Sequence, residues 1–291
     1  MNSPGRAASV HARLLNRAHE KREDFNLILG RYALERLLYR LSVSDASSQF
    51  VLKGALLFDL WFDLPHRPTR DADFLGFGPP DAVALTQTLR TICSIEADDG
   101  MVFDSGTVNS IAIKEEASYG GLRCKLSGHL GNARCPVQLD IGYGDVVTPE
   151  PTLVQFPTLL DDVPAPCLRA YPRESMVAEK LEAIVTLGMT NSRMKDYFDL
   201  HALMQEGAMD PADLARAVAA TFQRRGTRLP LSVPTGLTRE FGMDPAKQTQ
   251  WAGFLNRNRL ASPPLQDVVA RLADWLMRVT TQAAVLRDHG R

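Results

Sequence analysis

The chain has 291 residues, which is enough for one large domain or two domains of roughly 100–200 residues each. Hydrophobic residues make up 45% and charged residues 23% of the sequence, the balance of an ordinary globular protein. The 33 basic and 34 acidic residues nearly cancel, which excludes a strongly basic nucleic-acid-binding chain but leaves room for a local basic cleft.

The cysteines and the N-terminal segment indicate the compartment. Cys93, Cys124, Cys135 and Cys167 form no CxxC pair, so the sequence predicts reduced thiols in a cytosolic protein rather than a zinc site. The N-terminal segment lacks the apolar core of a signal peptide. No segment reaches the roughly 18 apolar residues of a membrane span. We therefore expect a cytoplasmic protein that does not enter a membrane.

The first part of the chain predicts a helix and then a strand–turn–helix unit. Residues 1–12 are small and polar and predict a frayed start. An apolar stripe near the 3.6-residue period predicts a helix over 13–41. A short strand at 50–52 meets Lys53-Gly54, and an apolar helix follows at 55–62.

The middle of the chain predicts mostly strands. A strand is expected over 71–77, and an amphipathic helix over 81–96 has Asp81 as its N-cap. The Gly131-Asn132 pair is a tight-turn signal, which indicates an antiparallel hairpin. The further candidate strands are 108–115, 122–130 and 133–145.

A proline-rich stretch over 146–170 predicts a surface linker, after which the pattern is helical. Gly188 and Gly207 are predicted helix stops. The predicted helices are 173–188, 193–206, 211–225, 244–256 and 264–287. This order predicts an α/β (α+β) fold with a mixed sheet, followed by an all-helical half, with domains at 1–165 and 166–291.

The central chemical feature is the pair Asp71 and Asp73 in the segment TRDADF. On a strand, residues i and i+2 face the same side about 7 Å apart, and two such carboxylates repel unless a cation neutralises them. Magnesium prefers hard oxygen ligands of this kind. An isolated DxD pair occurs by chance on many surface loops. A third acid, Asp140, lies inside the apolar segment VQLDI, and the three acids together predict a metal site.

The helical half carries its own charged residues. Lys180 lies in the segment AEKLEA, and Lys195, Asp196 and Asp199 lie in KDYFD. Lys195 and Asp199 are four residues apart, which places them on one helix face. From spacing alone, the simpler interpretation is an exposed ion pair that stabilises the helix by a few tenths of a kcal/mol, roughly.

The order of these features resembles the polymerase-β-like nucleotidyltransferase superfamily. In that superfamily a strand–Gly-Ser–helix turn binds the nucleotide phosphates, a DxD pair follows on the next strand, and a later strand supplies a third carboxylate. This chain has Ala55 after Gly54, which removes a hydroxyl that could bind a phosphate oxygen. Backbone N–H groups at the helix start can still bind an anion.

A longer set of segments is similar to the AbiEii/AbiGii toxin family of nucleotidyltransferases, the toxin half of bacterial abortive-infection and toxin–antitoxin pairs. The segments lie in order over about residues 50–203 and are FVLKGALLFDL, RPTRDADFLGFG, PVQLDIGYGD, YPRESMVAEKLEAIV and NSRMKDYFDL. Each is weak alone, whereas their shared order and spacing are specific.

The resemblance implies a magnesium- or manganese-dependent transfer of a nucleoside monophosphate from an NTP to an acceptor hydroxyl, with release of pyrophosphate. Domain 1–165 would be the nucleotidyltransferase core with its N-terminal helix, and the helical domain 166–291 would complete the active-site cleft. The implied metal ligands are Asp71, Asp73 and Asp140. The implied catalytic residues are these three acids with Lys180, Lys195 and Asp196. The implied nucleotide-binding residues are Lys53, Gly54, Arg70, Lys180 and Lys195.

Partners follow from the same resemblance. Relatives are described as binding GTP or as adding nucleotides to the 3′ end of tRNA, so tRNA is the expected acceptor and a protein side chain is the alternative. The cognate antitoxin would be encoded as a separate chain.

Two other interpretations compete with a transferase. A catalytically silent nucleotide-binding module is favoured by Ala55 and opposed by the three retained acids. A metal-dependent phosphohydrolase would require clustered histidine ligands, and the six histidines form no HD or HxxxH motif. Attachment of radiolabelled nucleotide to RNA or protein would separate these interpretations.

Overall fold

The computed structural model describes residues 4–62, 67–69, 71–113 and 120–289. The chain forms two compact units. Unit 1 comprises Met1–Gly144 and Thr152–Ala170, and unit 2 comprises Asp145–Pro151 and Tyr171–Arg291. Within the described ranges, no helix combines the length and the apolar character needed to cross a membrane.

The described part of unit 1 is built on a mixed sheet of seven strands. The strands are β1 (Phe50–Lys53), β2 (Asp71–Gly76), β3 (Met101–Ile113), β4 (Gly121–Leu130), β5 (Ala133–Tyr143), β6 (Thr152–Gln155) and β7 (Cys167–Ala170). Their order across the sheet is β3-β4-β5-β2-β1-β7-β6. The pairs β2–β5 and β1–β7 are parallel, and the other neighbours are antiparallel. The predicted mixed sheet and α/β class are confirmed.

The β4–β5 hairpin closes at Gly131-Asn132, as predicted. Gly131 has a φ of 57°, a left-handed conformation that glycine adopts without steric cost. The two-residue turn pairs Leu130 with Ala133 and thereby fixes every later pair of the hairpin.

The predicted single helix over 13–41 is wrong, because the chain forms α1 (Pro4–Lys21) and α2 (Phe25–Ser42). Arg22 has a positive φ of 54°, which ends α1. Asp24 then caps α2 by accepting a hydrogen bond from the Leu27 N–H at 3.1 Å. Apolar periodicity continues across this break, so periodicity alone did not predict it.

The prediction of a frayed start over 1–12 is also wrong from residue 4 onward. Val10 and Leu14 on α1 are fully buried, so small polar neighbours did not prevent the helix from packing. Within the predicted linker, two short strands, β6 and β7, extend the sheet. Their four-residue lengths and proline-rich surroundings hid the strand pattern.

The other elements of unit 1 follow the predictions more closely. A 3₁₀ helix, Gly54–Leu57, and the short α3 (Phe58–Trp61) replace the predicted helix over 55–62. Helix α4 (Ala82–Cys93) begins after Asp81. The Asp81 side chain caps this helix by accepting hydrogen bonds from the backbone N–H groups of Val83 and Ala84.

Buried charge fixes α2 to the rest of unit 1. Arg40 and Asp99 are 1% and 0% exposed, and the guanidinium donates to the carboxylate at 2.7 and 3.1 Å. The Tyr32 hydroxyl donates to the Asp99 carbonyl oxygen at 2.7 Å. These bonds join α2 to the chain just before β3.

The described part of unit 2 is all helical, as predicted. The helices are α5 (Arg173–Leu187), α6 (Met194–Glu206), α7 (Pro211–Arg225), α8 (Arg239–Met243), α9 (Pro245–Asn258) and α10 (Leu265–His289). Gly207 ends α6 in a left-handed conformation. Helix α8 was not predicted, because five residues give no measurable periodicity.

Candidate active site

The DxD pair lies on β2, in the middle of the sheet. Asp71 and Asp73 are half-buried, whereas Ala72 and Phe74 between and after them are buried. This alternation is that of a strand with one covered face. The two carboxylates therefore share the polar face of β2.

Strand register extends this polar face into a row of four charged residues. Lys53 of β1 pairs with Asp73 of β2, Asp73 pairs with Asp140 of β5, and Asp140 pairs with Arg123 of β4. Directly paired residues point to the same side of a sheet, and adjacent strands lie about 4.8 Å apart. We call Lys53, Asp73, Asp140 and Arg123 the charged row. It places two acids between two cations.

Within the row, two hydrogen bonds join Arg123 to Asp140. Nε of Arg123 donates to Oδ1 of Asp140 at 2.8 Å, and Nη2 donates to Oδ2 at 2.7 Å. The amide of Gln138 donates to the same Oδ1 at 3.4 Å. This is the bidentate geometry that makes arginine–carboxylate pairs strong.

The electric field of the row shows in the pKa of Arg123. Hydrogen bonds to Asp140 raise this pKa above its ordinary value, against a smaller lowering by burial. The charges of Asp71 and Asp73 raise the pKa further. Arg123 is therefore within electrostatic reach of the three acids of the sequence prediction.

Across the residues that the structure describes, no group of three or more His, Cys, Asp or Glu side chains is arranged to hold a metal ion. Asp73 and Asp140 are neighbours in the sheet, but both oxygens of Asp140 accept from Arg123. The metal-ligand role of Asp71, Asp73 and Asp140 stays a prediction.

The glycine of the predicted phosphate-binding turn lies against the acids. Gly54 has a φ of 76°, and a Cβ built there would collide with the Asp73 carboxylate. Ala55 is buried, so a serine at that position would place its hydroxyl group in a buried environment. The turn thus depends on glycine for conformation and for space.

Unit 2 contains a second charged cluster. Nζ of Lys180, on α5, donates to Oδ1 of Asp196 at 2.6 Å and to Oδ2 of Asp199 at 2.9 Å, both on α6. Nε of Arg193 lies 2.7 Å from Oδ2 of Asp196. The side chains of Asp196 and Asp199 are 0% and 1% exposed, and that of Lys180 is 12% exposed.

Two cations decide the protonation state of Asp196. Burial, the largest influence, would raise its pKa, but the charges of Lys180 and Arg193 outweigh burial and hold the pKa below its ordinary value. Asp196 lies in the first turn of α6, where the helix dipole also favours a carboxylate. An ionised carboxylate with both oxygens engaged is suited to orienting a lysine rather than to accepting a proton.

Buried polar groups hold the turn that precedes α6. Asn191 is fully buried, and its Oδ1 accepts from the Arg193 N–H at 2.8 Å. Lys247, which is 7% exposed, donates to the Asn191 carbonyl oxygen at 2.9 Å. These bonds fix Arg193 beside Asp196.

The interpretation of Lys195 and Asp199 as an exposed ion pair is wrong. Asp199 is buried and accepts from Lys180, whereas Lys195 is exposed. Helical spacing identified neighbours along α6, but only the packing of α5 against α6 brings Lys180 to Asp199.

Sequence similarity places this architecture in a known family. The model for "Nucleotidyl transferase AbiEii toxin, Type IV TA system" matches residues 36–277. The chain belongs to the AbiEii family. Membership supports nucleotidyl transfer within a type IV toxin–antitoxin system, with an NTP as substrate and a cognate antitoxin as partner.

A solved structure is similar to this AbiEii chain in fold. JHP933 from Helicobacter pylori is 17% identical over 91% of this chain and 98% of its own, with a TM-score of 0.51. A second H. pylori protein, provisionally described as a nucleotidyltransferase, is 16% identical over 89% of this chain and 96% of its own, with a TM-score of 0.49. The chain matches no curated protein significantly.

Two residues of the AbiEii chain's charged clusters were missed by the site prediction, and one predicted residue is not placed. Arg70 lies outside the described residues. Arg123 was missed although the Gly131-Asn132 turn already sets it opposite Asp140. Asp199 was not assigned to the site, because no local pattern relates it to Lys180.

We predict that Gly54→Ala destabilises unit 1. The added methyl group meets the Asp73 carboxylate, and alanine is strained at this φ by about 1–2 kcal/mol. Thermal unfolding should show a lower Tm. Gly30→Ala is the control, because a Cβ on Gly30 in α2 has nothing within 4 Å. An equal Tm for both variants would contradict close packing at Gly54.

We predict that Lys180→Met lowers the free energy of unfolding by roughly 3–5 kcal/mol, since it leaves two buried carboxylates without their shared cation. Urea denaturation measures the loss. The control is Lys195→Met on α6, an exposed position where the change should stay within about 1 kcal/mol. Similar stabilities of the two variants would show that Lys180 is not the counterion that the distances indicate.

Proposed function

We propose that this chain transfers a nucleoside monophosphate from an NTP to an acceptor hydroxyl with the aid of a divalent metal ion bound at Asp71 and Asp73. The observation that carries the proposal is the pair itself. Both carboxylates project half-buried from a central strand, with Lys53 in register beside Asp73. Family membership supplies the reaction class.

The donor set fits magnesium. Mg²⁺ takes hard oxygen ligands, is commonly held by one or two carboxylates, and completes its shell with water and substrate phosphates. Asp71 and Asp73 provide such a pair on one strand face. When bound, the metal would polarise a phosphoryl oxygen and offset charge that develops during transfer. We propose Mg²⁺ as the physiological ion and Mn²⁺ as a substitute.

The chain's own residues would position the nucleotide. Lys53, beside Asp73, is suited to meet phosphate charge. The absence of a Cβ at Gly54 lets the Asp73 carboxylate lie against the turn, and the backbone N–H groups at the helix start would bind a phosphate. Arg70 precedes the DxD pair directly in the sequence and would add a further cation. Transfer of a phosphoryl group depends mainly on such positioning and neutralisation.

We assign to unit 2 a supporting part in the same reaction. Lys180 would balance charge on the leaving pyrophosphate, and Asp196 would orient Lys180 through the 2.6 Å hydrogen bond. Lys195, which is exposed on α6, would contribute a second positive charge. The buried pairing of Asp196 favours this role over that of a general base.

The 3′ end of tRNA is our proposed acceptor, on the basis of the resemblance to AbiEii-type toxins. The biological role would then be that of a toxin that blocks tRNA use until a separately encoded antitoxin relieves it. The alternative acceptor is a hydroxyl group of a protein side chain.

The direct test incubates the purified chain with each α-³²P-labelled NTP, Mg²⁺ and total tRNA, and follows label in RNA and in protein. We expect label at the tRNA 3′ end and none with a chelator. Asp71→Asn should lower the transfer rate by more than roughly 100-fold. Loss of a residue that only supports a metal ligand lowers activity by up to about 100-fold, and loss of a ligand itself should cost more. Its folded state should be at least as stable as the wild type, because one of several neighbouring like charges is removed.

The control for Asp71→Asn is Asp161→Asn, an exposed acid of unit 1, which should keep the wild-type rate. Full transfer by Asp71→Asn would remove that residue from the metal site. NTP binding without any transfer, to RNA or protein, would favour the silent nucleotide-binding module.

A second prediction addresses unit 2. Asp196→Asn keeps the shape of the side chain but loosens the hold on Lys180, so transfer should fall by about 10–100-fold. Rates are compared below the Tm of the variant, with folding checked by circular dichroism. Lys180→Arg keeps the positive charge and should fold, yet transfer more slowly, because arginine does not reproduce the ammonium geometry.

Asp274→Asn is the matched control, because Asp274 is exposed on α10. Wild-type transfer by folded Asp196→Asn and Lys180→Arg would show that this cluster only stabilises unit 2.

A further inference from the structure

The Arg123–Asp140 pair is more than a surface ion pair. Both carboxylate oxygens accept guanidinium N–H groups, at 2.8 and 2.7 Å. The Gly131-Asn132 turn fixes the two residues opposite each other, so the pair is built into the hairpin rather than reached by chance. The Asp140 side chain is 19% exposed and the Arg123 side chain 36% exposed, which screens the pair only in part.

A metal ion at Asp140 would have to share the carboxylate with Arg123 and Gln138. Three N–H groups already donate to its two oxygens, which leaves fewer lone pairs for a metal ion. The metal ion would also bring a second positive charge next to Arg123, which disfavours binding.

We propose that Asp140 is a positioning residue that holds Arg123, and that Arg123 is a fixed cation for the phosphate groups of the substrate, in the place where a second metal ion would otherwise act. The proposal rests on the metal site proposed at Asp71 and Asp73. It assigns one protein-held divalent cation to the chain, bound by that pair alone.

The geometry supports a phosphate as the ligand of Arg123. Two of its N–H groups are used by Asp140, and Nη1 donates to no group in the described residues. A planar guanidinium is suited to phosphate oxygens. Lys53 lies at the other end of the charged row, so a cation flanks the acids on each side. A polyphosphate bound to a metal ion at the acids would have its remaining negative charge neutralised by these two cations.

The first experiment measures Mn²⁺ binding by electron paramagnetic resonance, with the full chain and no nucleotide. We expect Asp71→Asn to weaken Mn²⁺ binding at least about tenfold, as for loss of a strong charged contact. Asp140→Asn should change the affinity less than about 3-fold and leave the stoichiometry unchanged. Asp161→Asn is the control for a general loss of negative charge.

The second experiment measures binding of each α,β-methylene nucleoside triphosphate, which cannot react. Arg123→Met should weaken binding about tenfold, as for one charge-assisted phosphate contact. Asp140→Asn should weaken it similarly, and the double variant no further, because Asp140 acts through Arg123. Arg123→Lys should restore only part of the affinity, since lysine cannot make the bidentate bond. Arg134→Met on β5 is the control.

The outcomes separate the two proposals. Loss of Mn²⁺ binding in Asp140→Asn as large as in Asp71→Asn would overturn the inference and make Asp140 a metal ligand. Additive losses in the nucleotide cycle would also overturn it. Retention of Mn²⁺ by Asp71→Asn would instead refute the proposed metal site, and the nucleotide cycle would still decide the role of Asp140.

Discussion

Repulsion between neighbouring carboxylates is the constraint on which the site in unit 1 depends. Asp73 and Asp140 occupy paired positions on adjacent parallel strands, about 4.8 Å apart. At that spacing two carboxylates favour their ionised forms only with counterions close by. The counterions lie on the two flanking strands. Lys53 on β1 pairs with Asp73, and Arg123 on β4 pairs with Asp140. The DxD pair adds a further carboxylate, Asp71, to the same strand face, and this crowding of acids supports the proposed divalent cation.

Unit 2 also contains two neighbouring carboxylates that need a counterion, and these are more deeply buried than the acids of unit 1. Asp196 and Asp199 have almost no exposure, and a single ammonium group lies within hydrogen-bond distance of both. Removal of one partner from such a cluster costs far more than an exposed pair contributes. Loss of activity in a Lys180 variant is therefore informative only when folding is measured beside it. The lowered pKa of Asp196, held by Lys180 and Arg193 against burial, supports its proposed role as a group that orients Lys180.

Family membership and site chemistry contribute different parts of the functional conclusion. The AbiEii match over residues 36–277 gives the class of reaction and the biological setting, and the likeness to JHP933 concerns the fold alone. Neither assigns roles to side chains, because one fold hosts many chemistries. Strand register, hydrogen bonds and burial support the proposed roles. For Asp140, which is hydrogen-bonded to Arg123, we therefore propose a role that differs from the proposed metal-ligand role of Asp71 and Asp73.

Local patterns in the sequence determined the mixed α/β class, the helical second half, the face shared by Asp71 and Asp73, and the hairpin at Gly131-Asn132. Given that turn, counting back along both strands sets Arg123 opposite Asp140, so this pair was within reach of the sequence. Other features required the tertiary structure. The parallel pairing of β2 with β5 and the packing of α5 on α6 join residues distant in the chain, and no local period encodes which distant partner is chosen. Asp199 is the example. Helical spacing places Lys195 four residues before it on α6, whereas only the packing of the two helices shows that Lys180 on α5 donates to the buried Asp199 carboxylate.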